Sequence, residues 1–167
     1  RYALIDHFFG GDIGIEEFSR CAYEEAGDFV KGRYMFDVKR SHRGVVLAMK
    51  RDGLVGGIKV RLIKEISLPK RGAFFDVRYE ITNKGKESLE VFFAPEFNVA
   101  MPYADADRYS LIMNNGEKAQ LLSRPGRYEG IDRVNIQDDR GQLSFELTLS
   151  EQCRAWYFPL KTVSQSE

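Results

Sequence analysis

The feature that most constrains this chain is an alternation of apolar and polar residues that starts near Tyr34 and recurs along most of the chain beyond it. In 58–68 every second residue is apolar except Lys64, and 75–81 repeats the pattern. A period of two places successive side chains on opposite faces of a strand, so each segment is expected to bury one face and expose the other. Turn pairs such as Asp52-Gly53 separate these segments and indicate hairpins.

The number and spacing of these segments narrow the architecture further. About nine strands at short spacing, without the βαβ rhythm of a parallel sheet, are typical of an antiparallel β-sandwich. The most apolar segment, Leu89–Met101, is expected to be a central strand with a bulge or kink at Pro95. One stretch, Asp12–Ala26, has the apolar spacing of a helix, with Asp12 as its cap and Gly27 at its end. We predict a single all-β domain over residues 1–167 with one short N-terminal helix.

Charge and composition exclude several classes of function. Lys plus Arg and Asp plus Glu each number 25, so no net field attracts nucleic acid or an anionic membrane. No uncharged run approaches the ~20 residues of a membrane helix. The two cysteines, Cys21 and Cys153, lie 132 positions apart and are expected to be reduced and partly buried. The scarcity of cysteine and the absence of a leader predict a cytoplasmic location, and the apolar opening at Arg1 suggests a piece of a longer polypeptide.

The sequence carries no recognisable catalytic or metal-binding motif. His7 and His42 are the only histidines, and neither has the spacing of a metal site or belongs to a known nucleophile motif. Asp6 and His7 are neighbours on an extended segment and should point to opposite sides, which favours a capping Asp and a packed His over an acid–base pair. We therefore predict no catalytic residue, no metal and no cofactor.

Four residues are candidates for contact with carbohydrate: Glu96, Asn98, Trp156 and Tyr157. Glu96 and Asn98 share a strand face with Phe92, and a carboxylate and an amide can bind sugar hydroxyls while an aromatic ring packs on the sugar C–H face. The alternative for this pair is a satisfied internal hydrogen-bond network, which is the commoner arrangement. Trp156 and Tyr157 are adjacent and should face opposite ways, with core packing as the alternative for Trp156.

Three blocks of sequence at the two ends of the chain carry a family resemblance: Arg1–Phe9 (RYALIDHFF), Gly27–Val30 (GDFV) and Trp156–Glu167 (WYFPLKTVSQSE). They resemble the C-terminal β domain of glycoside hydrolase family 57, the α-amylase and 4-α-glucanotransferase group. The family pattern continues with a Gly-Gly-Phe-Glu-like segment that is missing here, which agrees with the expectation of a fragment. The resemblance covers nearly the whole chain in the expected order.

This resemblance implies a galactose-mutarotase-like supersandwich and a division of labour within a longer enzyme. In that family an N-terminal barrel carries the nucleophilic Glu and the acid Asp, and no carboxylate of this chain matches either one. The implied function is a non-catalytic domain that packs on the barrel of the same polypeptide and contacts an α-1,4-glucan. Self-association through the surface left by truncation is a further expectation.

Three alternatives remain open. The domain is purely structural, and its segment Asp6–Phe9 docks to the barrel. It is an independent carbohydrate-binding module, which requires a platform of exposed aromatic rings. It is a small aldose-epimerase-like enzyme, which requires a Glu and a His to converge in one cleft, and His42 with Glu96 is the pairing to examine.

Overall fold

Strands dominate the computed structural model, which describes residues 3–101, 106–114, 117–138, 140 and 143–160. Every strand pairing in that part of the chain is antiparallel, and the predicted all-β class is confirmed. The strands are β1 (Ile5–Phe9), β2 (Met35–Ser41), β3 (Gly44–Val55), β4 (Ile58–Pro69), β5 (Asp76–Asn83), β6 (Phe92–Glu96), β7 (Tyr109–Met113), β8 (Glu117–Leu121), β9 (Gly126–Asp138) and β10 (Ser144–Tyr157). No helix among the described residues has the length and apolar character needed to cross a membrane.

The chain divides into two compact units. The first unit comprises Arg1–Ile13 and Tyr23–Val99, and the second comprises Gly14–Ala22 and Ala100–Glu167. The single domain expected for residues 1–167 stays a prediction.

The first unit is built on a four-stranded sheet in the order β2-β3-β4-β5. The predicted turn at Asp52-Gly53 is wrong, because both residues lie inside β3 and pair with Arg61 and Val60. The reversal occurs instead at Gly56 and Gly57, which adopt φ of +55° and +80°, a region that glycine enters without steric cost.

Gly53 has a packing role rather than a turn role. A Cβ at this position would lie 2.8 Å from Cζ of Phe29, a ring that is buried in the core. The side chain of Asp52 is paired across the strands with the guanidinium of Arg61, at 2.6 and 2.9 Å. Asp52 and Gly53, which the sequence suggests as a turn, therefore contribute to the pairing and packing of β3.

A two-stranded sheet of β1 and β6 contributes to the core of the first unit. That core consists of Phe8, Phe29, Val55, Val60 and Leu62. The prediction of a central strand over Leu89–Met101 is wrong: only Phe92–Glu96 is a strand, and it pairs with β1 alone, without a bulge. Pro95 explains this position, since a residue without an N–H suits a strand that lacks a second neighbour.

The predicted helix is much shorter than expected. The helix α1 spans Ile15–Ser19, and its N-cap is Gly14, whose N–H donates to the Glu17 carboxylate at 2.7 Å. Cys21 follows with a positive φ of 55°. The last residues of the predicted segment, Tyr23–Ala26, belong to the first unit, where the Ala26 N–H donates to the Phe8 carbonyl at 2.8 Å. This tertiary contact prevails over the helical spacing of the local sequence.

The second unit contains a four-stranded sheet in the order β10-β9-β7-β8. Its core is formed by Leu111, Met113 and Ile131. The Arg108 guanidinium donates two hydrogen bonds, of 2.7 and 2.5 Å, to the buried carboxylate of Asp138 at the end of β9. Both cysteines are free thiols, and both are exposed rather than partly buried as expected.

Candidate functional site

The strand β1 presents two adjacent titratable residues to opposite sides of the first unit. Asp6 and His7 are each only 2% exposed. Asp6 meets Lys64, while His7 meets Glu25 and Glu96. The predicted divergence of the two side chains is confirmed, and they form two separate clusters instead of an acid–base pair.

In the first cluster, the imidazole of His7 lies between two carboxylates. Its Nδ1 contacts Oε1 of Glu25, and its Nε2 lies 3.2 Å from Oε2 of Glu96. The second oxygen of Glu25 accepts the Phe8 N–H at 3.1 Å, and Oε1 of Glu96 accepts from the Asn98 amide at 2.7 Å. Each carboxylate is therefore held by a neighbouring donor as well as by the ring.

The electrostatics of this cluster favour a charged imidazole. Burial lowers the pKa of His7, but hydrogen bonding and charge from Glu25, and then from Glu96, outweigh burial and raise the pKa above its ordinary value. With both ring nitrogens donating to carboxylates, the cluster ties β1 to residue 25 and to β6. Its geometry is that of a structural clamp.

In the second cluster, a buried lysine neutralises a buried aspartate. The ammonium of Lys64 donates to Oδ2 of Asp6 at 2.7 Å and to the Leu4 carbonyl at 2.6 Å. The hydroxyl of Tyr34 donates to the same Asp6 oxygen at 2.5 Å. Burial and then Asp6 raise the pKa of Tyr34, so this hydroxyl stays protonated. The ammonium also lies over the rings of Tyr34 and Tyr79, at 5.2 and 5.6 Å.

The four predicted carbohydrate contacts fall in both units. Glu96 and Asn98 are hydrogen-bonded to each other in the first unit, which is the internal network weighed as the alternative for this pair. In the second unit, the Trp156 ring packs against Phe18 at 6.0 Å. The ring of Tyr157 stacks on Tyr128 at 6.0 Å beside the core of that unit. Contact of these residues with a sugar stays a prediction.

Sequence reasoning missed the partners that complete both clusters. No sequence signal identifies Glu25, because it lies inside a segment with helical spacing. Lys64 could have been identified, because it is the one polar residue among the alternate apolar positions of 58–68. The pairing considered for an epimerase is not formed, since Glu96 contacts His7 and His42 is exposed in the turn between β2 and β3. Among the residues that the structure describes, no three His, Cys, Asp or Glu side chains are placed to bind a metal ion.

The second unit also presents a polar groove of about 370 Å³ on its sheet. The amide of Asn135 and the hydroxyl of Ser144 are hydrogen-bonded to each other there. Within the described part of the chain, the side chains of Arg133, Gln137 and Glu146 make no hydrogen bond or ion pair. The groove therefore offers free donors and acceptors of both charge signs.

Comparison with known proteins shows which family, relatives and solved structure this chain is similar to. A family model described as "Alpha-amylase/4-alpha-glucanotransferase, C-terminal" matches residues 1–167. An α-amylase of Pyrococcus abyssi is 30% identical over 167 residues, and a 4-α-glucanotransferase of Thermococcus kodakarensis is 27% identical. The crystal structure of 4-α-glucanotransferase from Thermococcus litoralis matches with a TM-score of 0.71 at 25% identity, covering 100% of this chain and 23% of that one. The chain spans about a fifth of the length of its relatives, 21% of each of the first two.

Proposed function

The chain belongs to the family of C-terminal domains of α-amylases and 4-α-glucanotransferases, and from this membership we propose that it is the non-catalytic, supporting domain of an enzyme that acts on α-1,4-glucans. The observation that carries the proposal is the extent of the match. It takes in all of this chain but only about a fifth of each relative, and the matching family model is described as C-terminal. The remaining four-fifths have ample length for a catalytic region.

The chemistry of the first unit supports the same function. Each of its two titratable clusters is centred on a buried charge, His7 in one and the Asp6–Lys64 pair in the other, and each of these charges has an oppositely charged partner within the unit. A group that is to act on substrate must reach the reacting atoms, whereas His7 and Lys64 are 2% and 3% exposed. These clusters stabilise the fold.

Incubation of the 167-residue chain with maltoheptaose tests the non-catalytic role directly. The products are separated by chromatography after a long incubation at high protein concentration. We expect maltoheptaose to be recovered unchanged. The appearance of shorter or longer maltooligosaccharides, or of an altered sugar, would overturn the proposal.

Contact with glucan is a second candidate role, and the polar groove of the second unit is the observation that favours it. Its free side chains can bind sugar hydroxyls, whereas the Glu96 carboxylate and the Asn98 amide nitrogen are already hydrogen-bonded. An NMR titration with maltoheptaose separates the two locations. Saturating shifts at Arg133, Gln137 and Glu146 support the groove, and shifts at Glu96 and Asn98 support the residues predicted from sequence. The absence of saturating shifts at millimolar sugar would eliminate this second role.

A further inference from the structure

We propose that the uncovered half of the apolar face on the β2–β5 sheet packs against the catalytic region that precedes this domain in the same polypeptide. The inference rests on the proposed function, because it assigns the surface through which the domain supports its enzyme. The uncovered half is defined by six side chains: Phe36, Val38, Leu47, Ile66, Leu68 and Val77.

These side chains lie on one face because of the register of the sheet. Val38 pairs with Leu47, Leu47 with Ile66, and Ile66 with Val77, which makes one continuous apolar row across four strands. Phe36 lies two residues before Val38 on β2, and Leu68 lies two residues after Ile66 on β4, so both point to the same side. Together they form a contiguous apolar surface, with Arg40 as the charged residue in the row of Leu68.

The same face is fully covered at its other end. Val60 and Leu62 of β4 are 1% and 0% exposed beneath the core residues Phe8 and Phe29. In the uncovered half, by contrast, Phe36 is 72% exposed, Leu68 47% and Val38 41%, while the central residues Leu47, Ile66 and Val77 are half-buried. A sheet face that is sealed at one end and open at the other is unusual for a monomer, and contiguous exposed apolar surface of this kind marks an interaction site.

The preceding region of the polypeptide is the occupant that fits this surface. The border between the covered and uncovered halves is the row that contains Phe36 and Lys64. The Lys64 ammonium holds the Leu4 carbonyl at 2.6 Å. The chain that enters the domain at this point is therefore anchored beside the uncovered half, and a covalently linked region there has a high effective concentration.

The apolar composition of this surface also favours a protein partner over a sugar. Aliphatic side chains and one ring leave few donors or acceptors for sugar hydroxyls, whereas they suit the apolar centre of a protein interface. The matched region is only about a fifth of each relative and the matching family is described as C-terminal, so a large partner surface is present on the same polypeptide in the relatives.

Hydroxyl-radical footprinting of the full-length polypeptide, compared with the 167-residue chain, tests this assignment. Phe36 and Met35 are adjacent, similarly exposed at 72% and 67%, and directed to opposite faces of the sheet, so Met35 is the internal control. We expect the oxidation rate of Phe36 to fall about fivefold or more in the full-length polypeptide, since an interface core excludes water. The rate of Met35 should change little.

The variants Phe36→Asp and Met35→Asp extend the test to energetics. Both side chains are exposed in the isolated domain, so both variants should keep its circular dichroism spectrum and melting temperature. In the full-length polypeptide, Phe36→Asp should separate the melting of the two regions, whereas Met35→Asp should not.

Three results would overturn the inference. Phe36 could oxidise at the same rate in both proteins, which would leave the surface open to solvent. The full-length polypeptide could sediment as a dimer in which contact with the other copy protects Phe36, which would make a second copy the occupant. Maltoheptaose could protect Phe36, which would make the surface a glucan site. Because oxidation is read independently of turnover, failure here is distinct from finding that the isolated chain converts maltoheptaose.

Discussion

At the scale of the residue, each buried charge of the first unit has a partner that is distant in sequence. His7 meets Glu96 across 89 positions, and Lys64 meets Asp6 across 58. The sequence predicts that Asp6 and His7 diverge, because that divergence depends on strand geometry alone. It does not predict their partners, because those depend on how β1, β4 and β6 are brought together.

The clamp on His7 predicts a specific pH dependence of stability. The folded-state pKa of His7 is raised above its ordinary value of 6.5, so its protonation stabilises the fold. This contribution is complete below pH 6.5 and is lost as the pH rises through the folded-state pKa. Urea unfolding between pH 6 and 9 should show a decline in stability that His7→Gln removes. His42→Gln, in an exposed turn, is the matched control and should retain the decline.

The Asp6–Lys64 pair predicts a large asymmetry between two lysines of β4. Lys64→Met leaves the Asp6 carboxylate buried without its charge partner and should lower the free energy of unfolding by about 3–5 kcal/mol. Lys59→Met on the same strand changes an exposed side chain and should alter it by less than about 0.5 kcal/mol. Equal effects of the two substitutions in urea titrations would contradict the assignment of a buried ion pair.

At the scale of the element, alternation identifies the strands of the first unit well, because one face of the β2–β5 sheet is apolar along most of its length. Prediction from local sequence patterns fails where a tertiary contact favours a different conformation from the one the pattern indicates. The helical spacing after Asp12 predicts a helix to Ala26, but the Ala26 N–H instead donates to the Phe8 carbonyl. The Asp52-Gly53 pair predicts a turn, but both residues lie in β3, where Gly53 packs against Phe29. Neither contact can be recognised from the neighbouring sequence.

The packing at Gly53 predicts the cost of one methyl group in β3. Gly53→Ala brings a Cβ to 2.3 Å from Oδ1 of Asp28 and to 2.8 Å from the buried Phe29 ring, so the strand or these side chains must shift. We expect a loss of about 1–3 kcal/mol of stability, as for other overpacked sites. Gly11→Ala is the control, since a Cβ there meets no atom within 4 Å. Thermal melts of the two variants that coincide would show that Gly53 is not closely packed against Asp28 and the Phe29 ring.

At the scale of the whole molecule, three short blocks near the ends of the chain predict the family, and the comparisons confirm it across residues 1–167. Contacts with carbohydrate are harder to predict from the sequence than the family is. A carboxylate, an amide and two aromatic residues suit a sugar site and a packed interior equally well, and only their surroundings separate the two. The structure surrounds Glu96, Asn98 and Tyr157 with partners from their own units.

The central claim is that this domain supports a catalytic region carried by the rest of the polypeptide. Its most direct test is to measure thermal inactivation of the full-length polypeptide beside a version that ends before residue 1 of this chain, using maltoheptaose as substrate at a permissive temperature. We predict that the shortened protein retains the glucan chemistry when cool and loses it at a markedly lower temperature than the full-length protein. Identical inactivation curves for the two proteins would contradict the claim.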